Sequence, residues 1–174
     1  MKKVSAHEIA LSGIACAFAV IFLTVGAYSK VLLFSGYLFS AVALMLPLAK
    51  RSFGGYALAY VGGSVLALIF NSARFWDVLP FIVFFGLHPL VNELQLRVKI
   101  NTWVACFIKA LWFDGAMYLI WRFVFGMSTT LDFVDQYAIP CILIAGTLFF
   151  VFYDYASYKC RGAVNSFVAR FLKK

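Results

Sequence analysis

Two ionisable side chains, Lys109 and Asp114, interrupt the apolar stretch from Trp103 to Arg122, which is long enough for one membrane-crossing helix. A charge at the centre of a membrane helix costs roughly 2.5–3.5 kcal/mol on insertion scales, so such side chains usually face protein or water. At 100° per residue the two lie about 140° apart around the helix, which is too far for a good mutual pair. We therefore expect each to have a partner on another helix, a water-filled cavity or a neutral state.

Lys109 has two polar candidates on the preceding predicted helix, Glu93 and His88. The connection between the two helices turns near residue 98, so Lys109 lies at about the depth of His88 and its aliphatic stem can extend toward Glu93. The spacing predicts a Lys109–Glu93 ion pair with His88 nearby. Two roles stay open for this group: a structural lock of the hairpin, or a coupling and proton-relay function.

Asp114 shares its helix face with aromatic residues, the wall type expected of a small-molecule pocket with one orienting polar group. The predicted solute contacts are Asp114, Tyr118, Trp121 and Trp103. Further acidic residues are expected around the outer mouth, namely Asp77, Asp132 and Asp135. The pattern fits a pocket for a small solute that is cationic or carries hydrogen-bond donors. It equally fits a neutral or hydrogen-bonded Asp114 beside an aromatic interface belt.

The composition is that of an integral membrane protein. The 174 residues are 64% hydrophobic and 13% charged, whereas soluble domains are nearer 45–50% apolar and 25% charged. The net charge of +8 does not indicate nucleic-acid binding, because the charges sort by membrane side, as described below. The sequence lacks HExxH, GxSxG and Walker-type motifs, and its four cysteines lack metal-ligand spacing. We therefore expect no enzymatic activity, no cofactor and no metal site.

Hydropathy predicts an all-α, polytopic membrane bundle of six transmembrane helices, covering residues 9–28, 31–49, 53–70, 76–94, 103–122 and 137–158. The first apolar run has about 20 residues, longer than the 7–15 of a secretory signal core, so we interpret it as an uncleaved helix. Residues 159–174 form a basic tail with apolar residues at helical spacing. This pattern predicts a cytoplasmic amphipathic helix on the inner leaflet.

Two of these helices carry packing signals. In the third, small residues recur every fourth position and predict the close approach of another helix: Gly55, Ala59, Gly63 and Ala67. In the fourth, Pro80 and Pro89 predict a kink or unpaired carbonyls.

The basic residues predict the orientation. Eleven fall on one side of the six predicted spans: Lys2, Lys3, Lys50, Arg51, Arg97, Lys99, Lys159, Arg161, Arg170, Lys173 and Lys174. Three fall on the other side: Lys30, Arg74 and Arg122. Because cytoplasmic loops carry the excess of Lys and Arg, we expect a multi-pass protein of the cell membrane with both termini in the cytoplasm.

In size and topology the whole chain resembles the substrate-binding S components of energy-coupling factor (ECF) transporters. The first helix, ALSGIACAFAV, contains Gly13-x-x-x-Ala17 and Ala15-x-x-x-Ala19, which resemble the small-residue face that docks on the transmembrane coupling subunit. Either of these two registers could correspond to that docking face. The resemblance implies a solute-binding subunit for micronutrient uptake, driven by that coupling subunit and two ATPases. S components often use the connection between the first two helices as a lid. Here only a few residues around Lys30 form that connection.

Other interpretations remain. The chain also resembles small six-helix bacterial membrane proteins without an assigned function. A non-transporting scaffold of the cell envelope, similar to the MreD type, is the main alternative to transport. A membrane-embedded enzyme ranks third, because the sequence has no nucleophile–base or metal constellation. A closed outer cavity lined by Asp114, Tyr118 and Trp121 would favour transport, whereas solid packing or exposure to lipid would favour the scaffold.

Overall fold

The computed structural model describes residues 6–29, 31–124 and 136–171. All regular structure in these ranges is helical, with no strand, which confirms the predicted all-α class. The main helices are α1 (Ala6–Tyr28), α2 (Leu33–Ala49), α3 (Phe53–Phe70), α4 (His88–Val98), α5 (Thr102–Phe123) and α6 (Thr147–Phe171). Shorter helical segments are Ser72–Asp77, Phe81–Phe85, Ala138–Pro140 and Cys141–Gly146.

Four helical segments of the described chain are long and apolar enough to cross a membrane: Ala6–Tyr28, Phe53–Phe70, Thr102–Phe123 and Cys141–Arg170. The other two predicted spans differ from these. Helix α2 is apolar but has only 17 residues. The span predicted over 76–94 is interrupted. The apolar helices are compatible with a membrane protein, and the count of six spans stays a prediction.

The chain divides into two compact units. Described residues up to Leu94, together with those from Ser157 onward, form the first unit. Described residues from Gln95 to Ala156 form the second. The first unit holds α1, α2 and α3, most of α4 and the C-terminal part of α6. The second holds α5 and the N-terminal part of α6.

Helices α1 and α2 pack closely because two glycines meet where they cross. A Cβ atom added to Gly36 would lie 2.7 Å from the carbonyl oxygen of Phe22 and 3.2 Å from Cα of Gly26. Any side chain at Gly36 would therefore push the two helices apart. A hydrogen bond of 3.0 Å from Ser40 Oγ to the carbonyl of Ala19 fastens the same pair of helices.

The predicted small-residue stripe of α3 is buried, which confirms its packing role. Its four members are among the buried residues of the helix: Gly55, Ala59, Gly63 and Ala67. A Cβ atom on Gly63 would lie 3.7 Å from Cβ of Ala19, so the stripe packs against α1. Large apolar side chains point the other way, as with Leu58, which is 63% exposed.

The region between α3 and α4 is an interrupted helix, as its prolines predict. A 3₁₀ segment, Ser72–Asp77, is followed by a π-helical segment, Phe81–Phe85, and then by α4. Pro89 has no N–H group to donate to the carbonyl of Phe85, so regular α-helical bonding cannot continue there. Carbonyls freed along such a stretch need donors from elsewhere.

Three tyrosines supply those donors. Tyr37 donates a hydrogen bond of 2.6 Å to the carbonyl of Asp77, and Tyr60 donates one of 2.6 Å to the carbonyl of Ile82. The Tyr56 hydroxyl donates to the carbonyl of Gly86. Tyr37 comes from α2 and the other two from α3, so neighbouring helices stabilise the interruption.

A tight turn joins α4 to α5. Lys99 has φ of 57°, in the left-handed region, and the Ile100 N–H group donates to the carbonyl of Gln95, as in helix-terminating motifs. The Asn101 side chain then accepts a hydrogen bond of 2.9 Å from the N–H group of Trp103 and caps α5.

The basic tail does not form a separate helix after residue 158. Helix α6 continues without a break to Phe171. The C-terminal part of α6 packs within the first unit, because Ser157 and Val168 are only 1% and 4% exposed. Helix α6 therefore runs past Tyr158, where the sixth predicted span ends, because the helical apolar pattern continues through the basic residues.

Candidate functional site in the seam between α5 and α6

Polar side chains meet where α5 packs against the N-terminal part of α6, within the second unit. We call this surface the seam and define it by three contacts. Lys109 contacts Asp154, Asp114 contacts Thr147, and between them the rings of Phe113 and Phe150 stack with centroids 5.8 Å apart. The paired residue numbers run in opposite directions along the two helices, so the segments are antiparallel.

Lys109 is held in a short ion pair. Its Nζ atom donates a hydrogen bond of 2.6 Å to Oδ1 of Asp154, and the two side chains are 5% and 18% exposed. Charge-assisted bonds of this kind are roughly twice as strong as neutral ones. The pair therefore neutralises a cation that would otherwise be buried in an apolar helix.

Lys109 and Glu93, the predicted pair, each contact another partner. Glu93 Oε2 instead accepts two hydrogen bonds from Arg161, one of 2.9 Å from Nε and one of 2.7 Å from Nη2. The expectation of a Glu93 partner rests on the hairpin of adjacent helices alone. Both actual partners come from α6, which is distant in sequence and supplies Asp154 to α5 and Arg161 to α4.

Asp154 and Thr147 are site residues that sequence reasoning missed. Asp154 lies inside the sixth predicted span, which makes it as anomalous in that helix as Lys109 is in α5. A search for oppositely charged residues within predicted spans would have added Asp154 to the candidate partners of Lys109. Thr147 gave no such signal, because a single threonine is common in apolar helices.

Asp114 is buried and only half satisfied. It is 8% exposed, and its Oδ2 atom accepts a hydrogen bond of 2.8 Å from the Thr147 hydroxyl. Its Oδ1 atom is buried and receives no donor from the described part of the chain. A buried acceptor without a donor is costly, so this atom marks a place where water, a cation or a solute would be stabilising.

Glycines lie beside Asp114 along α5 and across the seam. Gly115 follows it on α5, and a Cβ atom there would meet nothing within 4 Å. Across the seam, a Cβ atom on Gly146 would lie 3.5 Å from Asp114 Oδ1. Gly146 ends the π-helical segment Cys141–Gly146, and such segments are frequent at functional sites.

Of the aromatic residues predicted to line a pocket with Asp114, two lie near it along α5. Tyr118 and Trp121 are one and two turns further along the helix, and their ring centroids are 5.9 Å apart. Tyr118 is 39% exposed, while the Nε1 atom of Trp121 is buried with no acceptor among the described residues. Trp103 is 84% exposed and lies in the first turn of α5, three turns before Asp114, so the structure does not bring it to the carboxylate.

A small cleft lies elsewhere, within the first unit. It has room for about one water molecule, with a volume near 10 Å³, and none of the four predicted solute contacts lines it. The lining residues are Met45, Leu48, Pro89, Asn92, Glu93, Ser157, Tyr158, Arg161 and Asn165. The Glu93–Arg161 pair therefore borders this cleft, and the Arg161 side chain is 30% exposed.

His88 belongs to the first unit and is fully buried. Its Nδ1 atom lies 3.4 Å from Nδ2 of Asn92, and its ring lies 5.3 Å from that of Phe84. It packs in the core of that unit, at the start of α4. Its predicted grouping with Glu93 and Lys109 stays a prediction.

The four residues predicted to dock a coupling subunit divide by exposure. Ala15 and Ala19 are 0% exposed and pack within the first unit, whereas Gly13 and Ala17 lie on the exposed face of α1. Only the Gly13-x-x-x-Ala17 register is therefore open to another protein.

No three His, Cys, Asp or Glu residues of the described ranges cluster as metal ligands. Comparison with models of protein families, with curated proteins and with solved structures finds no match.

Proposed function

We propose that this chain is an integral membrane protein with six spans and both termini in the cytoplasm, and that its seam binds a small solute for uptake. The outward-facing surfaces support the membrane placement. On α1, small residues such as Ala15 are buried, while Ile14, Phe18 and Ile21 are 47%, 46% and 53% exposed. Contiguous apolar surface of this kind is rare on soluble monomers and suits contact with lipid.

One observation carries the solute-binding proposal: the buried Oδ1 atom of Asp114 has no donor among the described residues. The neighbouring ion pair shows that the seam can satisfy a buried charge, since Lys109 has Asp154 at 2.6 Å. Among the described residues, Asp114 has only the neutral hydroxyl of Thr147 as a donor. A solute that donated a hydrogen bond to Oδ1 of this carboxylate would lie beside Tyr118 and Trp121. Aromatic side chains of this kind commonly line small-molecule pockets.

The proposal includes a partner. As in the S components that the chain resembles, a transmembrane coupling subunit with ATPases would supply the energy, docking on the exposed Gly13–Ala17 face of α1. That face allows close backbone approach, because a Cβ atom on Gly13 would meet nothing within 4 Å.

Thermal unfolding in detergent with a panel of vitamins, amines and metal complexes tests the solute proposal. Ligand that binds only the folded protein stabilises it by about 2.7 kcal/mol at 100 times its Kd. We expect at least one solute to raise the melting temperature, and Asp114→Asn to reduce that rise sharply at the same solute concentration while the unliganded variant stays folded. If no member of the panel shifts the transition, the proposal fails.

A non-transporting envelope scaffold is the second candidate, and the Lys109–Asp154 pair favours it. A closed ion pair with both charges satisfied is what a permanent helix contact requires. Native mass spectrometry of gently extracted protein separates the two candidates. A bound small molecule or co-purifying ATPases would support transport, whereas envelope proteins without bound solute would support the scaffold.

A further inference from the structure

The charges of the seam do not balance. Lys109 supplies one positive charge, and Asp114 and Asp154 supply two negative charges when ionised. Asp154 is within 2.6 Å of Lys109, so that pair is neutral as a unit. Asp114 is bonded to Thr147, which is uncharged. The ionised seam therefore carries one excess negative charge, located on Asp114.

A lone carboxylate in apolar surroundings is stabilised most by a positive charge that also donates a hydrogen bond. Asp114 is 8% exposed, and Oδ1 is the oxygen left without a donor. The neighbouring Gly115 borders open space, because a Cβ atom added to it would meet nothing within 4 Å. Gly115 therefore leaves the surface of α5 uncovered one residue after Asp114.

The aromatic pair beyond Asp114 adds to this preference. Tyr118 and Trp121 occupy the next two turns of the same face of α5, with centroids 5.9 Å apart. The faces of Trp and Tyr rings attract cations. The buried indole N–H group of Trp121, which has no acceptor among the described residues, would also accommodate an acceptor atom on the same ligand.

We propose that the solute of the seam is an organic cation whose charged group carries N–H donors, such as a primary or secondary amine or an amidine. This inference rests on the proposed solute-binding function and specifies its substrate class. The ammonium or amidinium group would bind Asp114 Oδ1, and an apolar or acceptor-bearing remainder would lie against Tyr118 and Trp121.

Matched solutes test the charge requirement. Melting temperatures of the full-length protein in detergent are measured with small primary amines, each paired with the neutral alcohol and the carboxylate of the same carbon skeleton. We expect stabilisation by amines alone. In Asp114→Asn the amine concentration for half-maximal stabilisation should rise roughly ten- to hundredfold, as for one lost charge-assisted bond. Asp114→Glu, which keeps the charge, should retain part of the effect, and Glu8→Gln, on α1 in the first unit, should leave it unchanged.

The outcomes distinguish the inference from the proposed function. If alcohols or carboxylates stabilise the protein as well as amines do, the seam binds a solute but the cationic class is wrong. If sodium ions alone produce the shift, shown by its loss in sodium-free buffer, the site is one for an inorganic cation and the inference is also wrong. If nothing stabilises the protein, both proposals fail.

Discussion

Lys109 on α5 donates a hydrogen bond of 2.6 Å to Asp154 on α6, and this contact ties two apolar helices together through the charges that interrupt them. Each residue alone would be a buried, uncompensated charge. Together they form a neutral unit that a low-dielectric environment tolerates. The pair lies little more than one turn from Asp114, so it also fixes the helix segment that carries the proposed solute site.

Removing one partner of this pair should destabilise the protein more than removing both. Lys109→Met leaves Asp154 buried without its cation, which typically costs about 3–5 kcal/mol. Lys109→Met combined with Asp154→Asn removes both charges and should recover much of that loss. Unfolding in a graded detergent or denaturant series measures the difference. Equal destabilisation of the single and double variants would show that the two residues are not coupled.

The tyrosines that bond to the interrupted helix before α4 should contribute to stability through their hydroxyl groups. Tyr56 is 1% exposed, and Tyr56→Phe leaves the buried carbonyl of Gly86 without that donor. Such a loss typically costs about 1–3 kcal/mol. Tyr158→Phe is the control, since Tyr158 is 58% exposed and should change stability by less than about 0.5 kcal/mol. A Tyr56→Phe protein as stable as the control would contradict the assigned role of the hydroxyl.

The crossing of α1 and α2 should not tolerate even one methyl group. Gly36→Ala places a Cβ atom 2.7 Å from a backbone oxygen, which cannot move without shifting α1. Overpacking of this kind typically costs about 1–3 kcal/mol. Gly13→Ala, on the exposed face of α1, meets nothing within 4 Å and should be neutral or slightly stabilising, because alanine favours helix more than glycine. If both variants melt alike, the crossing is looser than the structure indicates.

The positions of the helices were far more predictable from this sequence than the contacts between them. The third span is predicted at residues 53–70, which is where α3 begins and ends, because an 18-residue apolar run between polar turns leaves little freedom. The small-residue stripe of α3 is equally predictable, since its four-residue spacing puts every member on one face. Both features are local properties of one helix.

The contacts of the seam were not predictable in the same way. Lys109 and Asp154 are 45 residues apart, and nothing in either local sequence records which helices become neighbours. Proximity along the hairpin favours Glu93 as the partner of Lys109, yet Glu93 pairs with Arg161 instead. The extension of α6 past Tyr158 has the same origin, because tertiary packing decides whether a basic amphipathic segment continues a helix.

The proposed topology predicts opposite accessibility for two exposed turns. In a cysteine-free background, Lys50→Cys should react with a membrane-impermeant thiol reagent only after the cells are opened, since this turn lies on the side with eleven basic residues. Ala73→Cys, in the turn after α3, should react in intact cells. The turn predicted to hold Asp132 and Asp135 lies outside the described residues, so Ala73 is the better outer probe. Labelling of both positions from the same side would refute the six-span arrangement.

The exposed small-residue face of α1 should be required for binding a coupling subunit but not for folding. Gly13→Leu and Ala17→Leu add bulk where helix backbones would otherwise approach closely, and both positions are exposed in the isolated chain. We therefore expect the double variant to keep its melting temperature in detergent while losing co-purifying membrane and ATPase subunits in native mass spectrometry. Val65→Leu, on the exposed face of α3, is the matched control, since Val65 is 50% exposed and should leave the complex intact. Retention of the same subunits by the double variant would place the docking surface elsewhere. A fall in melting temperature without added partner would instead show that this face of α1 packs within the protein.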